Sequence, residues 1–273
     1  MKKRDILFTV RSAEMLGGKY ALLKMTPDGA LPDMRPGQFV EVYPHALPMS
    51  GDMSGEADGA CIAGVPLLRR PISINYVDKS SGTLWLLVAM IGPGTRRIGH
   101  ATAGERLRCL CPLGRGFDMP AAGERVLVVG GGVGVAPLLF LCAEMCARGV
   151  TPTILLGARS AADVLEADLF GRCGTVHVTT EDGTADERGY VTDHSVLRGA
   201  RYDKVYACGP KAMMLSVARA ARSMDAECFV SLENMMGCGV GACLCCVEKT
   251  VDGNVCVCTD GPVFNVNRLL WQL

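Results

Sequence analysis

Charge of neither sign is in excess: Lys+Arg and Asp+Glu both number 28, for a net charge of +0 and a pI near 6.9. A polyanion is held by a surplus of Lys and Arg, so nucleic acid is excluded as the main partner. Aromatic residues make up only 5% of the chain, and the core is the ordinary Ala/Val/Leu kind rather than a set of stacking platforms. No run approaches the roughly eighteen apolar residues that a membrane helix requires, so no membrane partner is expected. The Met1-Lys-Lys-Arg start imitates a signal peptide, but the apolar run from Ile6 to Val10 is short and stops at Arg11. A soluble, cytoplasmic protein is the expectation.

Cysteine and glycine are abundant, at 14 and 33 in 273 residues. A secreted chain this rich in cysteine would be a disulfide scaffold, yet six of the cysteines crowd one segment near the end and the rest are scattered through apolar stretches. That distribution suits a reducing compartment. A mass of 29.0 kDa is long for one core and predicts two or three units.

The crowded segment is Cys238-Gly-Val-Gly-Ala-Cys243-Leu-Cys-Cys246, with Cys258 after eleven further residues. Gaps of four and two residues, with a fourth thiol arriving later, are the plant-ferredoxin spacing of a [2Fe-2S] cluster. Three thiolates around two irons require a tightly bent backbone, and Gly237, Gly239 and Gly241 permit it. The expected ligands are Cys238, Cys243, Cys246 and Cys258. Cys245 and Cys256 are then spare because retaining them breaks the spacing, Cys256 being the closer rival. A structural zinc site and a set of inert buried thiols are the other readings; zinc favours paired short knuckles and no His lies in the segment.

Upstream, residues 5–112 read as short strands punctuated by Gly and Pro: Ile6 to Arg11, Tyr20 to Met25, Gln38 to Tyr43, Arg70 to Val77, Thr83 to Met90 and Arg106 to Cys111. With no long amphipathic helix among them, a small antiparallel barrel is predicted. Pro44 to Gly64, rich in Gly, Pro, Asp and Ser, is expected to be a long surface loop. Arg70-Pro71-Ile72-Ser73 can offer a forked cation to phosphate and hydrogen bonds to a flat heterocycle, although an Arg and a Ser on a strand surface need mean nothing.

From Arg125 strands alternate with helices. Val126 to Val129 runs into Gly130-Gly131-Gly132-Val-Gly134 and a helical stretch from Val135 to Arg148. Strands follow at Thr153 to Leu156 and Thr175 to Thr180, then Lys204 to Cys208 with Gly209-Pro210 opening a helix from Lys211 to Arg222. A glycine turn at a helix start lets a diphosphate approach backbone N–H groups. The pattern predicts a parallel, doubly wound nucleotide-binding unit. The expected division is a β-barrel over 1–120, a nucleotide-binding α/β unit over 121–225 and a small cluster unit over 226–273.

Taken together, R-P-x-S in a barrel, G-G-G-x-G, a C-G-P turn and the C-terminal cysteine motif with C-T-D-G-P-V-F resemble the ferredoxin reductase-type flavoproteins. Within them the chain resembles the electron-transfer subunits of NAD-linked dihydroorotate dehydrogenase, from about residue 5 to about residue 268. The resemblance implies FAD for the barrel over 1–120 and NAD for the α/β unit over 121–225. It implies FAD at Arg70, Pro71, Ile72 and Ser73, with Arg70 at the phosphates and Ser73 near the ring, and the FAD diphosphate at Gly94 and Thr95. Family members often carry Tyr-Arg where this chain has Val88-Ala89, so only backbone contact is expected along Leu87, Val88 and Ala89. Gly130, Gly131, Gly132, Gly134, Cys208, Gly209 and Pro210 fall in the nicotinamide-nucleotide region, with Cys208 a candidate beside the nicotinamide. The resemblance further implies an FMN-containing catalytic partner in a two-plus-two heterotetramer that oxidises dihydroorotate for pyrimidine synthesis. A subunit of an NAD(P)H:ferredoxin oxidoreductase or sulfide dehydrogenase, a zinc-bearing interaction protein and a simple electron carrier are the alternatives.

Overall fold

A computed structural model describes residues 3–47 and 68–273, and the side chains of 45–47 are left aside. Six strands, β1 (Arg4–Leu16), β2 (Tyr20–Pro27), β3 (Phe39–Leu47), β4 (Arg70–Asp78), β5 (Thr83–Ala89) and β6 (Arg106–Leu113), close into a barrel in the order β1-β2-β5-β4-β3-β6. All its pairings are antiparallel. Closure follows from the period-2 pattern: Val40, Val42, Ile72 and Ile74 point inward with Phe8, Leu23, Met25, Leu84 and Leu107, while the residues between them face out. Every inner strand position thereby removes apolar area from water, at roughly 25 cal/mol per Å².

Two details differ from expectation. Pro44 to Leu47 extend β3 instead of starting a loop, and the remainder of the expected loop lies outside the described residues. A short helix, α1 (Pro93–Gly99), follows β5, with Pro93 in its first turn and Ile98 fully buried against the barrel. Seven residues give too little periodicity to be read from sequence.

The second sheet has seven strands in the order β10-β9-β8-β7-β11-β12-β15. It is built from β7 (Val126–Gly131), β8 (Thr153–Ala158), β9 (Thr175–Thr180), β10 (Glu187–Arg188), β11 (Lys204–Cys208) and β12 (Glu227–Ser231), all parallel, with β15 (Val263–Asn265) antiparallel at the edge. β7 is buried at every position, as a strand covered on both faces must be. α2 (Ala136–Ala147) follows a 3-10 turn at Gly132–Val135 and is buried almost all round; its Phe140 reaches into the barrel core. After β8 comes the single turn α3 (Ala167–Phe170). α4 (Lys211–Ser223) is amphipathic, burying Met214, Val217, Ala218 and Ala221 at helical spacing.

The barrel and the sheet also meet through polar groups. Asn75 on β4 donates from Nδ2 to Ala136 O (3.2 Å) and to Glu166 Oε2 (2.9 Å). Glu166 stands just before α3 with a left-handed backbone (φ 57).

The stretch expected as a separate cluster unit is anchored in this sheet. β12 pairs with β11, and Ser231 of β12 lies opposite Val263 of β15. Residues 232–262 are thus an excursion between two paired strands. It contains the cysteine loop, the hairpin of β13 (Val247–Thr250) and β14 (Gly253–Cys256), and the single turn α5 (Val257–Asp260).

Candidate cofactor sites

On β4 the R-P-I-S run alternates as a strand must. Ile72 is buried in the barrel, whereas Pro71 and Ser73 face outward opposite Glu41 and Phe39. Arg70 Nη1 donates to Leu68 O (2.7 Å) and Arg69 O (3.1 Å), which fixes the guanidinium. Its Nε and Nη2 have no acceptor among the described residues, and they lie against the first turn of α1: a Cβ on Gly94 would sit 2.5 Å from Arg70 Nε. Thr95 Oγ1 accepts from Gly92 N (3.1 Å) and donates to Gly92 O (3.2 Å), shaping the same turn. Arg70, Gly94 and Thr95, well separated in sequence, therefore form one cradle of free cation donors beside a helix start, which fits a diphosphate. Leu87 and Val88 are fully packed, Leu87 toward the nucleotide sheet and Val88 into the barrel, so their side chains are not available to a ligand.

The two glycine motifs of the second sheet also converge. Cys208 lies opposite Gly130 on neighbouring parallel strands, so both turns emerge at one C-terminal edge. This is where the order reverses, with β8 on one side of β7 and β11 on the other, the usual place for a nucleotide. A Cβ on Gly134 would stand 2.4 Å from Cys208 O, so only glycine lets the two turns touch. Burial pushes the Cys208 thiol well up, which keeps it neutral. Its Sγ faces Glu233 Oε1 at 3.9 Å; desolvation at that end raises the carboxyl, although Glu233 as a whole is exposed. Glu233 escaped the sequence reading because it lies beyond the C-G-P motif, on the chain leaving β12.

A cleft of about 210 Å³ lined by Gly209, Pro210, Lys211, Glu233 and Asn234 adjoins these groups. The roomier one, about 490 Å³, runs instead past Arg115, Phe117, Cys258 and Thr259 and touches neither glycine motif. Size alone therefore does not mark the nucleotide site.

The cysteine loop is organised by sulfur. Cys238 Sγ accepts from the backbone N–H groups of Val240 (3.4 Å), Ala242 (3.3 Å) and Cys243 (3.4 Å), and Cys246 Sγ accepts from Cys258 N (3.4 Å). The Val240 N–H, followed by that of Cys243, lowers the Cys238 thiol to about 6, whereas burial beside Cys246 pushes Cys258 up to about 12. Gly239 and Gly241 have φ of +67 and +85, and Leu244 between Cys243 and Cys246 has φ 57. A Cβ on Gly237 would meet Cys243 Sγ at 3.4 Å. Cys256 also neighbours Cys246, but it is only half-buried, whereas Cys258 is fully enclosed. A loop that turns N–H donors onto thiolates is suited to a metal–sulfur cluster.

Beneath that loop lies Glu41, fully buried on β3, with neither carboxyl oxygen hydrogen-bonded among the described residues. Burial pushes it up to about 7, against the pull of Arg69. Strand alternation would have placed Glu41 on a wet face; the covering loop is what the sequence reading lacked.

A further group, His177, Asp186 and His194, brings its ligand atoms within 4.8 Å of one another. His194 Nδ1 accepts from Val196 N (3.0 Å), which leaves the proton on Nε2, facing Asp186 Oδ2 at 3.3 Å. With its one lone pair taken by the Val196 N–H, His194 serves the local turn.

The barrel with its cation cradle, the nucleotide sheet and the sulfur loop define an oxidoreductase of the ferredoxin reductase type. The chain superposes on the NADH-dependent reduced ferredoxin-NADP oxidoreductase with a TM-score of 0.81 at 25% identity, over 97% of this chain and 90% of that one. The ferredoxin reductase of carbazole 1,9a-dioxygenase shares the fold at TM-score 0.63 and 18% identity, over 82% of this chain and 66% of that one. Residues 128–219 match the family described as the oxidoreductase NAD-binding domain, and residues 233–270 the iron-sulfur cluster binding domain of dihydroorotate dehydrogenase B. The dihydroorotate dehydrogenase B (NAD(+)) electron transfer subunit of Shouchella clausii is 36% identical over 277 residues, covering 98% of this chain and 99% of the relative. That of Bacillus caldolyticus is 37% identical over 241 residues, covering 86% and 87%. The chain belongs to the family of dihydroorotate dehydrogenase B electron transfer subunits. The zinc-protein alternative is set aside by the iron-sulfur match.

Proposed function

We propose that the chain carries electrons between NADH/NAD and an FMN-containing catalytic subunit that oxidises dihydroorotate to orotate in pyrimidine synthesis. The observation that carries this reading is the seating of a thiolate-organised loop directly on the outer face of the barrel that bears the R-P-I-S strand. When bound, FAD and the [2Fe-2S] cluster supply the conversion of a two-electron hydride into single electrons.

The residues' parts follow from their chemistry. Arg70, with Gly94 and Thr95, binds the FAD diphosphate; Ser73 hydrogen-bonds the edge of the flavin ring; and Leu87 to Ala89 offer backbone alone. Gly130 to Gly134 give the nicotinamide dinucleotide's phosphates a close approach to backbone N–H groups. Cys208, held neutral by its burial, and Glu233 flank the nicotinamide. Cys238, Cys243, Cys246 and Cys258 hold the cluster. The functional division is FAD over 1–120, nucleotide over 121–225 and cluster over 226–273, the last inserted into the nucleotide sheet.

Around the loop, Met235 (82%), Leu244 (65%), Val240 (40%) and Val247 (37%) are exposed, while Met236 packs against the core. Apolar side chains left in water beside a one-electron carrier fit coverage by the catalytic subunit, in a two-plus-two assembly. No helix among the described residues is long and apolar enough to cross a membrane. The described cysteines are free thiols, which suits the cytoplasm.

The test is reconstitution. Alone, the chain should reduce artificial acceptors with NADH and leave dihydroorotate untouched; with the FMN-containing subunit, NAD-linked dihydroorotate oxidation should appear. Dihydroorotate oxidation by the isolated chain, or absence of a stable complex, overturns the proposal.

A further inference from the structure

Glu41 is the only fully buried carboxylate side chain among the described residues, and it stands where the two redox parts of the molecule meet. On its strand it is in register with Pro71 of the R-P-I-S run on one side and with Leu110 on the other. From above, the cysteine loop descends onto it: a Cβ on Gly239 would lie 2.7 Å from Glu41 Cγ and 3.1 Å from its Oε1. The residue immediately before Gly239 is Cys238.

Packing does not explain a carboxylate here. An apolar side chain of the same length would fill the space without the cost of desolvating an acid, and a buried acid normally has a hydrogen-bond or ion-pair partner. Among the described residues Glu41 has neither: Arg69 is engaged with Asp5 at 2.9 Å, and Arg70 Nη1 is held by main-chain carbonyls. What the position does provide is an acidic side chain in a dry, weakly screening environment directly beneath the sulfur loop, where any charge it carries acts at close range.

We propose that Glu41 sets the reduction potential of the cluster, its buried carboxylate lowering that potential by opposing the arrival of a further negative charge in the loop above it. It acts as a positioning residue for charge rather than as a ligand. This rests on the reading that Cys238 and its partners hold the cluster in that loop.

The experiment is an EPR-monitored redox titration of the full FAD-loaded chain, comparing the parent with Glu41→Gln and Glu41→Met. Both variants should keep iron and FAD. In both, the cluster's reduction equilibrium should shift on the order of tenfold toward the reduced form, a rise of about 59 mV for one electron. A midpoint equal to the parent's in variants that retain the cluster overturns the proposal. So does loss of iron from both variants with FAD retained, which would make Glu41 a purely structural support. Iron content of Cys238→Ser reports separately on the ligand reading: iron retained there places the fault in the location of the cluster rather than in Glu41.

Discussion

In the barrel, each strand from β1 to β6 is paired on both sides, so the main-chain donors of the sheet are spent within it. In residues 232–246 no strand forms, and the N–H groups of Val240, Ala242 and Cys243 turn instead to the one sulfur of Cys238. Both regions satisfy the rule that main-chain donors find acceptors. The barrel's acceptors come with its own backbone, whereas the loop's acceptors are sulfurs of cysteines that we propose hold the metal. Order in the barrel is therefore intrinsic, and order in the loop is conditional on the cluster.

The sharpest way to break that contrast is Cys258→Ser. It should abolish the cluster, seen as loss of iron and of the cluster's visible absorption, while FAD stays bound; Cys256→Ser should leave iron nearly unchanged. Simultaneous loss of FAD would show that the two regions are not independent, and the reverse pattern for the two cysteines would reassign the fourth ligand. Next in size is Leu23→Ala in the fully buried barrel interior, expected to cost about 2–5 kcal/mol in urea unfolding. The protein that remains folded should hold its iron as the parent does.

Arg70→Ala should weaken FAD retention by about 1.5–3 kcal/mol, the worth of a hydrogen bond to a charged group. Equilibrium dialysis measures it, and parental affinity would remove Arg70 from the phosphate site. The smallest effect concerns Glu166, whose carboxyl burial pushes up to about 7 from 4.5, with the Asn75 amide opposing. Between those values the folded state keeps a proton that the unfolded chain has released, so this group's contribution to stability falls as pH rises through the window. Glu166→Gln removes that dependence, and its amide can donate to Asn75 Oδ1, which otherwise lacks a partner among the described residues. Above pH 7 the variant should be more stable than the parent by about 1–3 kcal/mol in denaturant titrations, with the gap closing toward pH 4.5.

Much of this was legible in the sequence because it rests on local periodicity. Alternation along Phe39-Val40-Glu41-Val42 and Arg70-Pro71-Ile72-Ser73 announces strands, and the spacing from Cys238 to Cys246 announces the cluster. What was not legible depends on contacts between distant stretches. Glu41 reads as an outward strand residue until the loop covers it, and Glu233 has no motif of its own. The Asn75–Glu166 contact joins two units that periodicity treats separately. β15, three residues long, carries too little pattern to reveal that the chain returns to the nucleotide sheet after the cysteines.

That return has a practical meaning. Ser231 and Val263 are cross-strand partners, so the ends of the intervening segment lie about 5 Å apart, the distance a tight turn spans. To the rest of the molecule, the cluster module is a long hairpin tip. Changes of length within it leave the register of β12 against β15 untouched, while Cys246, Val257 and Cys258 tie it down by packing into the core shared with Phe39 and Leu113.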